Sequence, residues 1–281
     1  MKTALCETFQ ELAHFTWKRL GAASATGLPW SEETNTETLL ATLAERHSRH
    51  VGLRAFTRRE EALNGSDWEW WIGSPGAWFG MRVQAKRIHR TNGRFVGIHR
   101  QKPRGHTSTQ MNTLITRAAK DGLAPVYCFY VHSATWPNNA IWLAQGNKSP
   151  RRELAGCLIA HASAVWATRS ETLAKVGEVC VPWHYLVCDD SCDDGPAADR
   201  IRGLLHGSAL AGDRARGLLA DPYNEDFPLP LVRQYLPDHV TTALSDPDGA
   251  VDDGTESPRQ YVQSRGLNGF VVINTSADGV W

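Results

Sequence analysis

The sequence predicts an α/β protein, with a mixed central sheet flanked by helices and a C-terminal accessory region. Three observations carry this. Apolar residues recur at helical spacing over 6–20, 39–47 and 109–120. Short alternating or continuously apolar runs, as in strands, occupy 51–58, 67–72, 78–88 and 125–131. Strands and helices intermixed along one chain imply a sheet covered by helices.

The elements follow in order. Phe9, Leu12, Phe15, Trp17 and Leu20 give the first helix its stripe, and a Gly/Ala/Ser/Pro loop follows over 21–31. Ser31 with Glu33 and Thr34 opens a second helix, its acids in the first turn where the helix dipole favours them. Leu39, Leu40, Leu43 and Ala44 form its apolar face. A strand over 51–58 precedes the hairpin signal Asn64-Gly65. Two strands, 67–72 and 78–88, flank the turn Gly73-Ser74-Pro75-Gly76. A basic connector covers 91–106, and Thr107 or Ser108 caps the helix 109–120, with Met111, Leu114, Ile115 and Ala118 towards the core. Gly122 ends that helix, and 125–131 is a buried strand. The spacing then predicts a helix over 151–175, a strand over 176–187, a short helical stretch over 197–210, an acidic loop over 246–258 and a last strand over 269–275. Residues 1–190 read as the core with its N-terminal helices, and 191–281 as an acidic, loop-rich extension.

Composition bounds the function. With 281 residues, 42 % hydrophobic and 21 % charged, the chain is neither disordered, collagen-like nor a coiled coil. No apolar run approaches the ~18–20 residues that span a bilayer, and the N-terminus does not read as a secretory signal. Six cysteines without a Cys-x-x-Cys pair predict reduced thiols and a cytoplasmic location. Cys180, His184, Cys188 and Cys192 invite a zinc reading. Residues four apart in a strand are ~13 Å apart, however, so buried thiols are preferred.

A net charge of zero hides an asymmetry. From Trp70 to Lys120 there is no acid and there are ten Lys/Arg, whereas Cys188 to Glu256 holds fifteen acids against five arginines. Such a run is either a solvated face or a surface for a polyanion.

The acid-free run surrounds a constellation suited to phosphodiester chemistry. Asp67 follows a tight turn and opens a strand; Gln84 and Lys86 lie two apart on the next strand and share one face. Two oxygen ligands and an ammonium group in one space suit a hard cation such as Mg²⁺ or Mn²⁺. Glu33, at the start of the preceding helix, is the third acid. Arg82, Arg87, Arg90, Arg94, Arg100 and the helix-opening Gln110 are the candidate nucleic-acid contacts. Taken singly, Asp67 is also turn chemistry, Gln84-Ala85-Lys86 a polar strand face, and Gln110 a solvated residue. Glu69 shares the face of Asp67 and is an outside candidate for work at the site. Trp68, Trp70, Trp71 and Trp78 read as core or sheet-covering rather than base-stacking.

Gly65-Ser66-Asp67 with Gln84-Ala85-Lys86 resembles the PD-(D/E)XK nuclease superfamily, the restriction-endonuclease-like fold, in its Gly-x-Asp and Gln-x-Lys version found in Mrr-type enzymes. Glu32-Glu33-Thr34-Asn35-Thr36, Gly65 to Trp71, Gln84 to Lys86, Gln110 and Pro125-Val126-Tyr127 are closer still to an uncharacterised bacterial family of that fold. The resemblance covers residues 1–190. It implies a restriction-endonuclease-like core and metal held by Asp67, Gln84 and the Ala85 carbonyl, with Glu33 beside them and Lys86 catalytic. It also implies a Mg²⁺- or Mn²⁺-dependent endonuclease acting on DNA, in anti-phage defence or DNA processing, with a protein partner or as a homodimer. Gln84 stands where many members carry Glu. The alternative is therefore a nuclease-fold module that binds nucleic acid or a protein without cutting.

Overall fold

The first helix, α1 (Ala4–Thr26), starts where the Thr3 hydroxyl accepts a hydrogen bond from the Cys6 amide at 3.2 Å and stops where Gly27 turns left-handed. It runs past the loop expected from Gly21 onwards. Gly21 serves there as a close-approach residue, because an added Cβ would lie 2.6 Å from Cε1 of His132. The second helix, α2 (Glu32–Arg46), is capped by Ser31, which accepts from the Thr34 amide at 3.0 Å. The computed structural model of the chain describes residues 3–56, 68–89, 92–98, 110–133, 152–188, 196–205, 230–245 and 256–279.

Among the described residues seven strands form one mixed sheet: β1 (Val51–Ala55), β2 (Trp68–Ser74), β3 (Ala77–Arg87), β4 (Ala124–Tyr130), β5 (Cys157–His161), β6 (Val181–Pro182) and β7 (Gly269–Asn274). Their order is β1-β7-β2-β3-β4-β5-β6. β2 and β3 are an antiparallel hairpin, and β3 and β4 are parallel. Parallel neighbours need a crossover, and α3 (Gln110–Asp121) lies within it. β7 runs parallel to β2 and antiparallel to β1.

Strand alternation divides the core. Trp68, Trp70, Ile72, Phe79, Met81, Val83 and Ala85 pack with α1, α2 and α6 (Ala197–Leu205). On the other face lie the α3 stripe with Tyr127 and Phe129, and a cluster around Trp71, Trp78 and Phe270. Helices α7 (Asp238–Ser245) and α8 (Pro258–Arg265) cover that second cluster. The four tryptophans 68, 70, 71 and 78 are all buried.

The structure departs from the sequence reading in the third quarter of the chain. The helix expected over 151–175 is a 3₁₀ turn (Arg152–Gly156), then β5, then α4 (Ala162–Ala167) and α5 (Leu173–Val176). Cys157 and Ile159 pack on one face of the sheet, Leu158 and Ala160 on the other. A strand buried on both faces has no polar alternation, so periodicity cannot tell it from a buried helix. The strand expected over 176–187 is only the two-residue β6 between two 3₁₀ turns, as suits a proline-bearing edge strand. Residues 191–281 contribute β7 to the interior of the sheet and α6 to the core beneath it.

Reduced thiols were expected; instead, Cys6 and Cys188 are joined in a disulfide with Cα atoms 4.9 Å apart. The two residues are 182 apart in sequence, so no local spacing signals the pair. Cys128, Cys157 and Cys180 are buried free thiols, and burial pushes Cys128 up to about 12. Among the described residues, no helix is long and apolar enough to cross a membrane.

Candidate active site at the end of the third strand

β3 carries Arg82, Gln84 and Lys86 on the face opposite Val83 and Ala85. Gln84 is 2 % exposed, and among the described residues its Oε1 has no hydrogen-bond partner. Its neighbour in the parallel ladder is Tyr127, whose hydroxyl has none among those residues either and whose ionisation burial pushes up. Buried polar atoms are normally paired; these two oxygens and the guanidinium nitrogens of Arg82 lie on one face of the sheet without a hydrogen bond among the described residues, as do several buried polar atoms elsewhere.

Lys86 is 8 % exposed at the end of the same strand, with Nζ 3.9 Å from Oε2 of Glu32. The other Glu32 oxygen accepts a hydrogen bond from the Arg87 amide at 3.0 Å. One carboxylate from the first turn of α2 therefore holds both the side chain and the backbone where β3 ends. The acid that α2 brings to Lys86 is Glu32 rather than Glu33. Consecutive helical residues point ~100° apart, and Glu33 is exposed on the next face of the turn. Ala85, between the two site residues, is buried and paired with Cys128 in the ladder.

Asp67, Arg90 and Arg100 lie outside the described residues. Arg82 was expected to reach nucleic acid; it is 0 % exposed instead. Burial pulls its guanidinium down, while Asp121 and Glu69 push it back up, and its nearest ion-pair oxygen is Asp121 Oδ2 at 3.6 Å. Arg94 is half exposed and paired with Glu171 at 3.2 Å. Gln110 opens α3 beside Gly97. Arg87 is half-buried, and among the described residues no carboxylate pairs with its side chain.

Glu69, the outside candidate, sits further along the same face of the sheet. Its Oε1 accepts from Trp71 Nε1 at 2.8 Å and from His239 Nε2 at 2.9 Å, and its Oε2 from the Tyr261 hydroxyl at 3.0 Å. His239 stacks on Tyr261 with ring centroids 3.8 Å apart, and the Arg265 guanidinium lies 3.7 Å from the centre of the tyrosine ring. Burial alone would raise Glu69, but the hydrogen bond and charge of His239, then Trp71 and Tyr261, hold it below its ordinary value. A buried carboxylate with three donors ties α7 and α8 to the sheet, and this organises the fold rather than offering an open site. His239 and Tyr261 are about 170 and 192 residues away from Glu69, so the sequence carried no local signal for either. For Glu32 the signal was present in the adjacent acid pair, and only side-chain direction separates the two.

The arrangement offers a carbonyl oxygen, an ammonium and a carboxylate at one strand end. Among the described residues, no three His, Cys, Asp or Glu side chains are grouped to hold a metal ion; the expected ligand Asp67 is outside that set. No curated protein and no solved structure matches the chain. One family does, over residues 5–279, which takes in all of α1 but its first residue, the whole sheet and α8. The protein is therefore a member of that family, the family of unknown function DUF6615.

Proposed function

We propose that the protein is a metal-dependent phosphodiesterase acting on DNA, with Mg²⁺ or Mn²⁺ as its cofactor. The observation that carries this is Gln84 Oε1, a buried carbonyl oxygen without a donor among the described residues, two residues from a buried lysine on one strand face. An unpaired buried acceptor costs about 1–3 kcal/mol, and a hard cation is one partner that offsets it. In this reading Gln84 Oε1 and the Ala85 carbonyl hold the ion together with Asp67. Asp67 is covalently joined to Trp68, which pairs with Val83, the neighbour of Gln84. Glu33 keeps its place as the candidate third acid, and Glu32 is the acid beside Lys86.

A bound divalent ion lowers the pKa of water and offsets charge on the phosphorane-like transition state. Lys86 contributes a fixed cation for a phosphate oxygen and three donors to orient the attacking water. Glu32 positions that cation from α2. Their separation is 3.9 Å.

The same pair supports a second reading, a nuclease-fold module that binds without cutting. There Lys86 only staples β3 to α2, and the neutral Gln84 replaces a carboxylate that would hold metal more firmly. The test is cleavage of plasmid, linear duplex, single-stranded DNA and RNA with Mg²⁺ or Mn²⁺, alongside Lys86→Ala and thermal melts of both proteins. The nuclease reading expects DNA cleavage that falls at least ~100-fold in Lys86→Ala, with the melt shifted only slightly. A wild-type protein that cuts nothing in either metal, with Lys86→Ala melting far lower, would establish the structural pair instead.

A further inference from the structure

A cavity of about 340 Å³ opens beyond the carboxyl ends of the parallel strands β3 and β4. Its wall includes Arg87, immediately after Lys86, and His132, two residues past the end of β4, with Leu20, Leu28 and Ile88 as apolar lining. In open α/β sheets, ligands sit in the crevice outside the carboxyl ends of parallel strands. The volume falls within the ~300–1,000 Å³ of small-molecule sites.

The lining is chemically divided. Arg87 supplies a guanidinium, whose planar fork fits phosphate oxygens in pairs. His132 Nδ1 donates to the Trp17 carbonyl at 3.0 Å, and its ring packs against Trp17 with centroids 4.9 Å apart. The ring also presses on Gly21, where a Cβ would meet three of its atoms. The imidazole is thus held in one orientation. Leu28 is 67 % exposed at the apolar rim.

We propose that this cavity binds one nucleotide of the nucleic-acid substrate, its phosphate on Arg87 and its base between His132 and Leu28. The choice of ligand class rests on the phosphodiesterase reading above; the cavity and its divided lining do not.

The experiment is calorimetric titration of the full chain, in EDTA, with deoxyadenosine 5′-monophosphate, deoxyadenosine and inorganic phosphate. The nucleotide should bind at least ~10-fold more tightly than either fragment, as expected for one charge-assisted contact added to the apolar ones. Arg87→Ala should bring the nucleotide to the affinity of deoxyadenosine and leave deoxyadenosine unchanged. Leu28→Ser, at an exposed position that folding tolerates, should weaken nucleotide and nucleoside by one common factor and spare phosphate. A nucleotide that binds no better than phosphate, or that binds Arg87→Ala as well as wild type, overturns the proposal. Arg87-dependent nucleotide binding in a chain that cleaves nothing would uphold the cavity and sink the nuclease reading. Cleavage without nucleotide binding would do the reverse.

Discussion

Replacing Glu69 with Gln keeps the shape of the side chain and removes its charge. Glu69 is 0 % exposed and meets three donors, with the buried Arg82 as its cross-strand neighbour. Hydrogen bonds to a charged group are worth about 1.5–3 kcal/mol each, against about 0.5–1.5 for neutral pairs. Losing about 1 kcal/mol at each of three bonds gives about 3 kcal/mol, and Arg82 is left with only Asp121 at 3.6 Å. Breaking a buried charge pair from one side costs about 3–5 kcal/mol, so the two routes agree. The assay is urea unfolding of wild type and Glu69→Gln across the acid range. The folded carboxyl lies below its ordinary 4.5, so its contribution is fully present above that value and is lost as pH falls through the lower, folded one. The stability gap should close as pH falls below the ordinary 4.5 towards the folded value. Tyr261→Phe, which removes one donor, should cost about 1.5–3 kcal/mol and add less than fully to Glu69→Gln. A Glu69→Gln protein within about 1 kcal/mol of wild type at pH 7, or a gap that widens as pH falls below 4.5, would refute the reasoning.

Two further outcomes are expected. Changing Arg90, Arg94 and Arg100 together to Ala should weaken DNA binding and flatten its log–log salt dependence by about 0.9 for each phosphate no longer neutralised, without changing sequence preference. Filter binding at several salt concentrations measures this, and an unaltered slope would mean the basic run is only a solvated surface. The Cys6–Cys188 bond closes a loop spanning 182 positions, for which the chain-entropy model gives about 5 kcal/mol as an upper bound. Dithiothreitol should therefore lower the urea midpoint of wild type but not of the Cys6→Ser/Cys188→Ser double variant. A thiol titration of the unreduced, unfolded protein that finds all six cysteines free would contradict the pairing.

Much of the fold was legible because its signals are local. Ser31 caps α2, the α3 stripe is buried at every expected position, and the β2–β3 hairpin turns at Pro75-Gly76. Alternation along β3 was enough to set Gln84 and Lys86 on one face and Ala85 on the other. Local patterning failed at Cys157–His161, where burial on both faces erases alternation. It also pointed to Glu33, whereas the acid beside Lys86 is Glu32, in the same turn and different only in direction.

The sequence by itself determined the helices and strands of the first 131 residues and the last strand, the α/β class with its mixed sheet, and the placing of a buried amide two residues from a lysine on one strand face. Those properties come from neighbours three or four positions apart on a helix and two apart on a strand. Tertiary structure alone decided that β7 enters the sheet between β1 and β2, and that Glu69 finds its donors on α7 and α8. It alone decided that Arg82 is buried, that Cys6 meets Cys188, and that a cavity opens past β3 and β4. Each of these joins residues far apart in the chain. Their pairing is chosen by which packing of the whole sheet buries its apolar faces and satisfies its polar groups, a condition that no local stretch of sequence contains.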